Sequence, residues 1–145
     1  QALTILIHLE SENPGGWLRR LLTLGGEDPT QILRMTKAET SDFRKVRDAI
    51  GDLRSPAELG YRLGETPAAD AILIRAAMFE TPPPPNWQAQ VNRGVSAVFP
   101  LRPKDLMPQL SGADLGAALK QAEQYWLARD FAPDRAELVS VLGLA

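Results

Sequence analysis

The 145-residue chain contains no cysteine and a single histidine, His8. The lack of cysteine excludes disulfides, thiolate metal sites and cysteine nucleophiles, and it suits a reducing compartment, so we expect a cytoplasmic protein. His8 has no serine, aspartate or second histidine at a meaningful spacing, and a packed or surface role is expected for it. No Asp-x-Asp pair for two Mg²⁺ ions, no Walker loop and no Gly-x-Gly-x-x-Gly motif occurs. The chain is therefore predicted to carry no catalytic residues, no metal site and no cofactor of its own.

Long apolar runs and a basic excess are also missing. The apolar stretches fall far short of the roughly 20 residues that a membrane span requires, so no membrane partner is expected. Residues 1–10 lack the basic segment and apolar run of a signal peptide. The chain begins with Gln1, and we expect it to be a piece of a longer protein. Its formal net charge is −2, so any binding of nucleic acid must depend on a local basic patch.

Strand signals are scarce, whereas helix signals recur along the chain. Thr36 and Glu39 form a capping box that opens a helix to about residue 51, and Ser55 and Glu58 form a second box. Thr66 opens a helix over 66–79 that is apolar on nearly all sides, which predicts that it is buried at the centre of its domain. The other predicted helices cover 2–12, 17–24, a short segment ending at 34, 86–98, 104–107, 112–129 and 134–143. We therefore predict a compact all-α fold of about seven to nine short helices.

Four consecutive prolines at 82–85 interrupt this pattern. Such a run cannot be helical and favours a stiff, extended connector. The predicted organisation is a helical body over 1–81, a proline linker over 82–85, and a helical tail subdomain over 86–145 that packs on or beside the body.

One predicted helix carries a possible phosphate-binding ridge. At 100° per residue, Phe43, Val46 and Ile50 share one face of the helix that begins at 37, and Lys37, Ser41 and Arg44 share the opposite face. The basic residues of this region are Arg34, Lys37, Arg44, Lys45, Arg47 and Arg54. The acidic residues interleaved with them are Glu39, Asp42, Asp48 and Asp52. This interleaving is also typical of an ordinary solvated helix face, so both interpretations stay open.

A second candidate lies where the segment 103–107 is followed by small residues at 111–116. A helix start with small residues exposes backbone N–H groups that can hold a phosphate. Asp114 stands in the first turn of that helix and already complements its dipole, which argues against an anion there.

Two sets of short segments share their pattern with a known family. In the C-terminal half they are Phe99-Pro100-Leu101, Lys104-Asp105-Leu106-Met107, Gly116-Ala117-Ala118-Leu119, Glu123-Gln124-Tyr125-Trp126-Leu127, Asp130-Phe131 and Arg135-Ala136-Glu137-Leu138. In the N-terminal half they are Trp17-Leu18-Arg19-Arg20-Leu21, Leu33-Arg34-Met35-Thr36-Lys37-Ala38-Glu39, Tyr61-Arg62-Leu63-Gly64 and Ala69-Asp70-Ala71-Ile72-Leu73. Together they cover most of the chain, which resembles the C-terminal region of bacterial CCA-adding tRNA nucleotidyltransferases of the poly(A) polymerase family.

The resemblance implies a role in tRNA processing. In that family a catalytic head holds the metal-binding aspartates, a neck reads the incoming nucleotide, and an all-helical body and tail grip the tRNA elbow. This chain would be body and tail, not catalytic alone. The parent would be a nucleotidyltransferase that uses Mg²⁺ with CTP or ATP. Glu27-Asp28 is not followed by the arginine of the family's Glu-Asp-x-x-Arg neck pattern, and 108–112 lacks the usual Gly-x-x-Pro-Gly-Pro-like turn.

The expected partner is therefore tRNA or another structured RNA, contacted at phosphate and ribose. The predicted RNA-binding residues are Arg34, Lys37, Arg44, Lys45, Arg102 and Lys104. The mildly acidic balance favours an alternative, a helical protein-interaction or dimerisation scaffold. The sequence leaves open the oligomeric state and whether the parent adds CCA, A alone or a poly(A) tail.

Overall fold

A computed structural model describes residues 1–10, 16–26, 28–29, 33–52 and 54–144. In this part of the chain there are nine α-helices and no strand, which confirms the predicted all-α class. The helices are α1 (Ala2–Glu10), α2 (Trp17–Leu24), α3 (Lys37–Ile50), α4 (Pro56–Leu63), α5 (Glu65–Met78), α6 (Trp87–Ser96), α7 (Pro103–Leu106), α8 (Gly112–Ala128) and α9 (Arg135–Val141).

The helix ends follow local signals in the sequence. At the start of α3 the Glu39 amide donates to Thr36 Oγ1 at 3.2 Å, and the Thr36 amide donates to a Glu39 carboxylate oxygen at 2.8 Å, which confirms the capping box. Gly25 ends α2 with a positive φ of 70°, which favours glycine. Two predicted segments lie outside the described residues. They are the end of the first helix, at 11–12, and most of the short helix before Arg34, at 27 and 30–32.

The chain divides into two compact units, Gln1–Ser96 and Ala97–Ala145. The division differs from the expected one at the prolines, which lie inside the first unit between α5 and α6. The prolines are non-helical, as predicted. The unit extends past them because α6 packs closely on α4, and Val91 of α6 is buried in the same core as Leu59 of α4.

Helix α5 is the centre of the first unit. Its side chains from Ala68 to Ala77 are mostly buried, and Leu73 and Ile74 have no exposed surface. The prediction of a buried central helix is confirmed over this stretch, but it fails at the C-terminal end, where Met78 is 47% exposed and Phe79 is 62% exposed. These two residues lie at the last turn and the C-cap of α5, where the helix runs out of the core.

Two glycines set the close approach of α4 and α6. A Cβ atom on Gly60 would lie 2.2 Å from the carbonyl oxygen of Val91, and one on Gly94 would lie 1.8 Å from the carbonyl oxygen of Ala57. Because carbon and oxygen cannot approach this closely, the two helix backbones can meet here only without side chains.

The second unit has a core of its own around Trp126 of α8. The Trp126 ring lies 5.4 Å from the ring of Phe99 and 4.8 Å from that of Phe131, measured between centroids. Leu106 of α7 and Leu138 of α9 are fully buried.

Candidate nucleic-acid interface

Helix α3 presents opposite faces of contrasting chemistry, as its sequence predicts. Phe43 and Val46 are buried in the core of the first unit. Lys37, Ser41 and Arg44 are exposed on the other side of the helix. The hydrophobic face fixes the rotation of α3, so the basic side chains must project toward solvent.

The exposed side chains surround a shallow depression with a volume of about 450 Å³, which we name the α3 groove. Its lining residues are Met35, Lys37, Thr40, Ser41, Arg44, Lys45 and Asp48. Three cationic residues and one carboxylate give this lining a formal net charge of +2, although the whole chain is acidic. Two hydroxyl groups between the cations are additional hydrogen-bond donors of a kind that often contacts phosphate oxygens.

The acidic residues interleaved along α3 are partly committed to other partners. Glu39 closes the capping box at the helix start, and the Asp48 carboxylate lies 3.9 Å from Arg47 Nε. Just beyond the end of α3, the Asp52 carboxylate lies 2.7 Å from Arg54 Nε. Within the described residues, no ion pair is formed by Lys37, Arg44 or Lys45.

The C-terminal end of α3 is held by an arginine of the central helix. Arg75 donates from Nη2 to the carbonyl oxygen of Ala49 at 2.8 Å, and also to the carbonyl oxygen of Asp52. A cation at the carbonyl end of a helix complements its dipole. Partial burial lowers the pKa of Arg75 from its ordinary value, and the nearby Asp52 carboxylate opposes this shift. The ordinary pKa of arginine lies so far above neutral pH that the side chain stays charged.

The remaining predicted RNA-binding residues lie outside the groove lining. Arg34 is exposed in the turn that precedes α3. Arg102 and Lys104 belong to the second unit, where both are exposed at the start of α7. The structure thus brings together Lys37, Arg44 and Lys45 of the six predicted residues.

The second candidate, the start of α8, gains no support from its geometry. Ser111 occupies the N-cap position in an extended conformation but makes no side-chain capping bond, and Asp114 supplies the negative charge of the first turn.

A mostly buried cluster of charged side chains was not predicted from the sequence. Arg19 Nε donates to Asp70 Oδ1 at 2.7 Å, and Arg19 Nη1 lies 3.7 Å from Glu10 Oε1. Arg20 binds the second oxygen of Glu10 at 2.8 Å. The cluster joins α1, α2 and α5, and a signal for it was present, since Asp70 is a lone carboxylate in the apolar run of α5.

Burial raises the pKa of the Asp70 carboxyl above its ordinary value of 3.8, and the hydrogen bond and charge of Arg19 only partly offset this effect. Because Asp70 is buried and its counter-ion Arg19 also lies near Glu10, we interpret the cluster as an ion-pair contact between helices. None of its residues lines the α3 groove.

Two further results bear on the chemistry open to the described residues. No group of three or more histidine, aspartate or glutamate residues among them is arranged to hold a metal ion. No helix among them combines the length and the apolar character needed to cross a bilayer.

Comparisons with protein-family models, with curated proteins and with solved structures found no match to this chain. The family resemblance in the sequence therefore stays a prediction.

Proposed function

We propose that this chain binds the sugar-phosphate backbone of structured RNA, with tRNA as the expected partner, through the α3 groove. The observation that carries the proposal is the groove itself, in which Lys37, Arg44 and Lys45 line one concave surface without ion-pair partners in the described chain. Phosphate contacts supply most of the affinity of non-specific nucleic-acid binding, and lysine and arginine are the residues that make them.

The resemblance to CCA-adding enzymes supports tRNA as the RNA in question. In this proposal the chain is the RNA-gripping part of a longer nucleotidyltransferase, and chemistry with Mg²⁺ and CTP or ATP belongs to a head outside it. Recognition is then by shape and backbone, because folded RNA helices offer phosphates and 2′-hydroxyls more readily than base edges.

The experiment is a salt titration of tRNA binding, measured by fluorescence anisotropy. Three phosphate contacts should give a log–log slope of affinity against salt of roughly −2 to −3. The double variant Lys37→Glu with Arg44→Glu removes two of these three contacts, so it should bind tRNA more weakly and with a slope of about −1 or shallower. Both side chains are exposed, so the helical circular-dichroism spectrum should be unchanged.

A charge-matched control separates the groove from the overall charge. Arg93→Glu with Lys120→Glu makes the same change in net charge at exposed positions of α6 and α8, outside the groove. This control should keep most of the affinity. If the groove variant binds tRNA as tightly as the unchanged protein at low salt, α3 has only a solvated polar face and the proposal fails.

A protein-interaction or dimerisation module is the second candidate. It is favoured by the exposed apolar side chains of Met78 and Phe79 at the end of α5. Light scattering after size exclusion, on the unchanged protein and on Phe79→Ser, distinguishes the candidates. A dimer that Phe79→Ser dissociates would support this second function.

A further inference from the structure

An apolar pocket of about 340 Å³ in the first unit is lined by α2, α3, α5 and the segment that follows α2. We name it the α2–α3–α5 pocket. The large apolar side chains in its described lining are Leu21, Leu22, Pro29, Phe43, Ile50 and Met78. Arg47 is the one charged residue of this described lining. The pocket shares no lining residue with the α3 groove, so it is a separate site.

The size and the lining of the pocket suit a compact molecule. Its volume lies near the lower limit of the roughly 300–1,000 Å³ of small-molecule sites, and an apolar lining with one polar group is typical of them. Three different helices bound the pocket, whereas a partner helix needs a long groove that accepts side chains from successive turns. A molecule of one or two rings therefore fits the pocket better than a peptide does.

Arg47 offers hydrogen-bond donors at the pocket. Its Nη1 atom donates to Asp28 Oδ2 at 3.3 Å, and its Nε atom lies 3.9 Å from Asp48 Oδ1. The guanidinium lies 5.7 Å from the centre of the Phe43 ring. Within the described chain, Arg47 Nη2 donates to no acceptor. Since a guanidinium has more N–H groups than these contacts use, Nη2 can donate to an oxygen of a ligand.

The charges at the pocket disfavour a charged ligand. Asp28 and Asp48 outnumber Arg47, so they would repel a carboxylate that approached the guanidinium. Neither aspartate lines the pocket, so an ammonium inside it would lose its hydration among apolar side chains and would be repelled by Arg47. An uncharged molecule avoids both costs, and an oxygen on it can still accept from Arg47.

We propose that the α2–α3–α5 pocket binds an uncharged aromatic molecule of one or two rings that carries a carbonyl or hydroxyl oxygen. The ring packs against Phe43 and Met78, because aromatic pairs and sulfur–aromatic contacts stabilise a ring beyond its burial alone. The oxygen accepts a hydrogen bond from Arg47 Nη2, which fixes the orientation of the ligand. Removal of the ring from water supplies most of the affinity.

The test uses acetophenone as the uncharged probe, with benzoate and benzylammonium as charged molecules of similar size. The chain has three methionines. Met78 lines the pocket, Met35 lines the α3 groove, and Met107 belongs to the second unit. NMR titration of protein labelled with carbon-13 at the methionine methyl groups reports on all of these places, and Met78→Leu assigns the Met78 resonance. Acetophenone should shift the Met78 resonance alone.

The charge of the ligand and the hydrogen bond are tested separately. Benzoate and benzylammonium should bind about tenfold more weakly than acetophenone, or weaker still, because an unpaired charge is costly to remove from water. Arg47→Leu should weaken acetophenone binding roughly threefold to tenfold, since it removes the donor and keeps an apolar side chain. Arg47 is exposed, so the fold should survive. Arg93→Leu makes the same change in charge at an exposed position of α6 outside the pocket, and it should leave binding unchanged.

Any of four outcomes would overturn the proposal. The first is the absence of a Met78 shift up to the solubility limit of acetophenone. The second is binding of benzoate or benzylammonium as tight as that of acetophenone, and the third is unchanged affinity in Arg47→Leu. The fourth is a Met78 resonance that moves when the ligand-free protein is diluted, which would show that a second copy of the chain covers the pocket. The backbone-binding function would stand in each case, because the salt dependence of tRNA binding measures it separately.

Discussion

Arg19 Nε lies 2.7 Å from Asp70 Oδ1, and only 4% of Arg19 and 6% of Asp70 is exposed. The two residues are 51 positions apart and join α2 to the central helix α5. Each charge is costly to bury alone, so removing one partner leaves the other uncompensated. The pair therefore holds α2 against α5. The protonation state of Asp70 consequently affects the free energy of unfolding of the first unit.

The first prediction concerns pH. Burial raises the pKa of Asp70 in the folded state above the ordinary 3.8 of an unfolded chain. Between these two values the folded state binds more protons than the unfolded state, so the contribution of Asp70 to stability falls as pH rises through that interval. Below 3.8 the contribution is fully present. Urea unfolding of the unchanged protein and of Asp70→Asn, compared over pH, should show this loss as a difference between the two curves.

Asp70→Asn keeps an oxygen that can accept from Arg19 but cannot titrate. As pH rises through the same interval, the free energy of unfolding of Asp70→Asn should therefore increase relative to that of the unchanged protein. A constant difference between the two proteins from acid to neutral pH would show that the carboxyl is not perturbed by its burial.

The second prediction concerns the crossing of α4 and α6. Glycine to alanine inside an exposed helix ordinarily stabilises by about 1 kcal/mol. Gly94→Ala should instead destabilise by about 1–3 kcal/mol or more, because the new methyl group would overlap the carbonyl of Ala57 and the backbones must separate. The control is Gly51→Ala, where an added Cβ meets nothing within 4 Å and φ is −80°. Melting temperatures that fall equally for both variants would contradict the close crossing.

The third prediction tests the core position of α5. Ile74→Asp places a carboxylate at a site with no exposed surface. The cost should be several kcal/mol, comparable with the roughly 5–15 kcal/mol that stabilises a whole domain. The variant should show no cooperative unfolding of the first unit. Met78→Asp on the same helix is the control. Nearly half of Met78 is exposed, so this variant should lose little stability. A soluble Ile74→Asp protein with an unchanged melting temperature would show that α5 is not central.

The fourth prediction concerns the start of α3. Thr36→Ala removes the acceptor for the Glu39 amide and should cost about 1 kcal/mol of stability. Ser111→Ala, at the N-cap of α8, removes a side chain that makes no capping bond and should cost little. Chemical denaturation of both variants gives the comparison, and equal losses would mean that the Thr36 bond contributes nothing.

Features carried by neighbouring residues were predictable from the sequence. The capping box of Thr36, the glycine end of α2 and the opposite faces of α3 depend on residues within a few turns of one another. The basic side of the α3 groove follows from the same periodicity, because burying Phe43 and Val46 forces Lys37 and Arg44 outward.

Features that join distant segments were not predictable in this way. The Arg19 to Asp70 pair and the contact of Gly94 with Ala57 depend on which helices become neighbours, and no local pattern contains that information. The division into units was placed differently for the same reason, since the prolines mark a break in helix but not the surface on which α6 packs. The apolar composition of α5 does not indicate where the helix leaves the core. Met78 and Phe79 were therefore predicted to be buried, but both are exposed.

The two fixed ends of α3 have a consequence for the entropy of binding. The capping box holds the first turn, and Arg75 holds the carbonyls around the last one. A ligand that bound a frayed helix would first have to order the helix backbone, which costs about 1–2 kcal/mol for each residue immobilised. In α3 the backbone at both ends is already ordered, so in the proposed binding only the lysine and arginine side chains would lose freedom. In the proposed RNA binding, the α3 groove would therefore lose less backbone entropy than a flexible basic segment of equal charge.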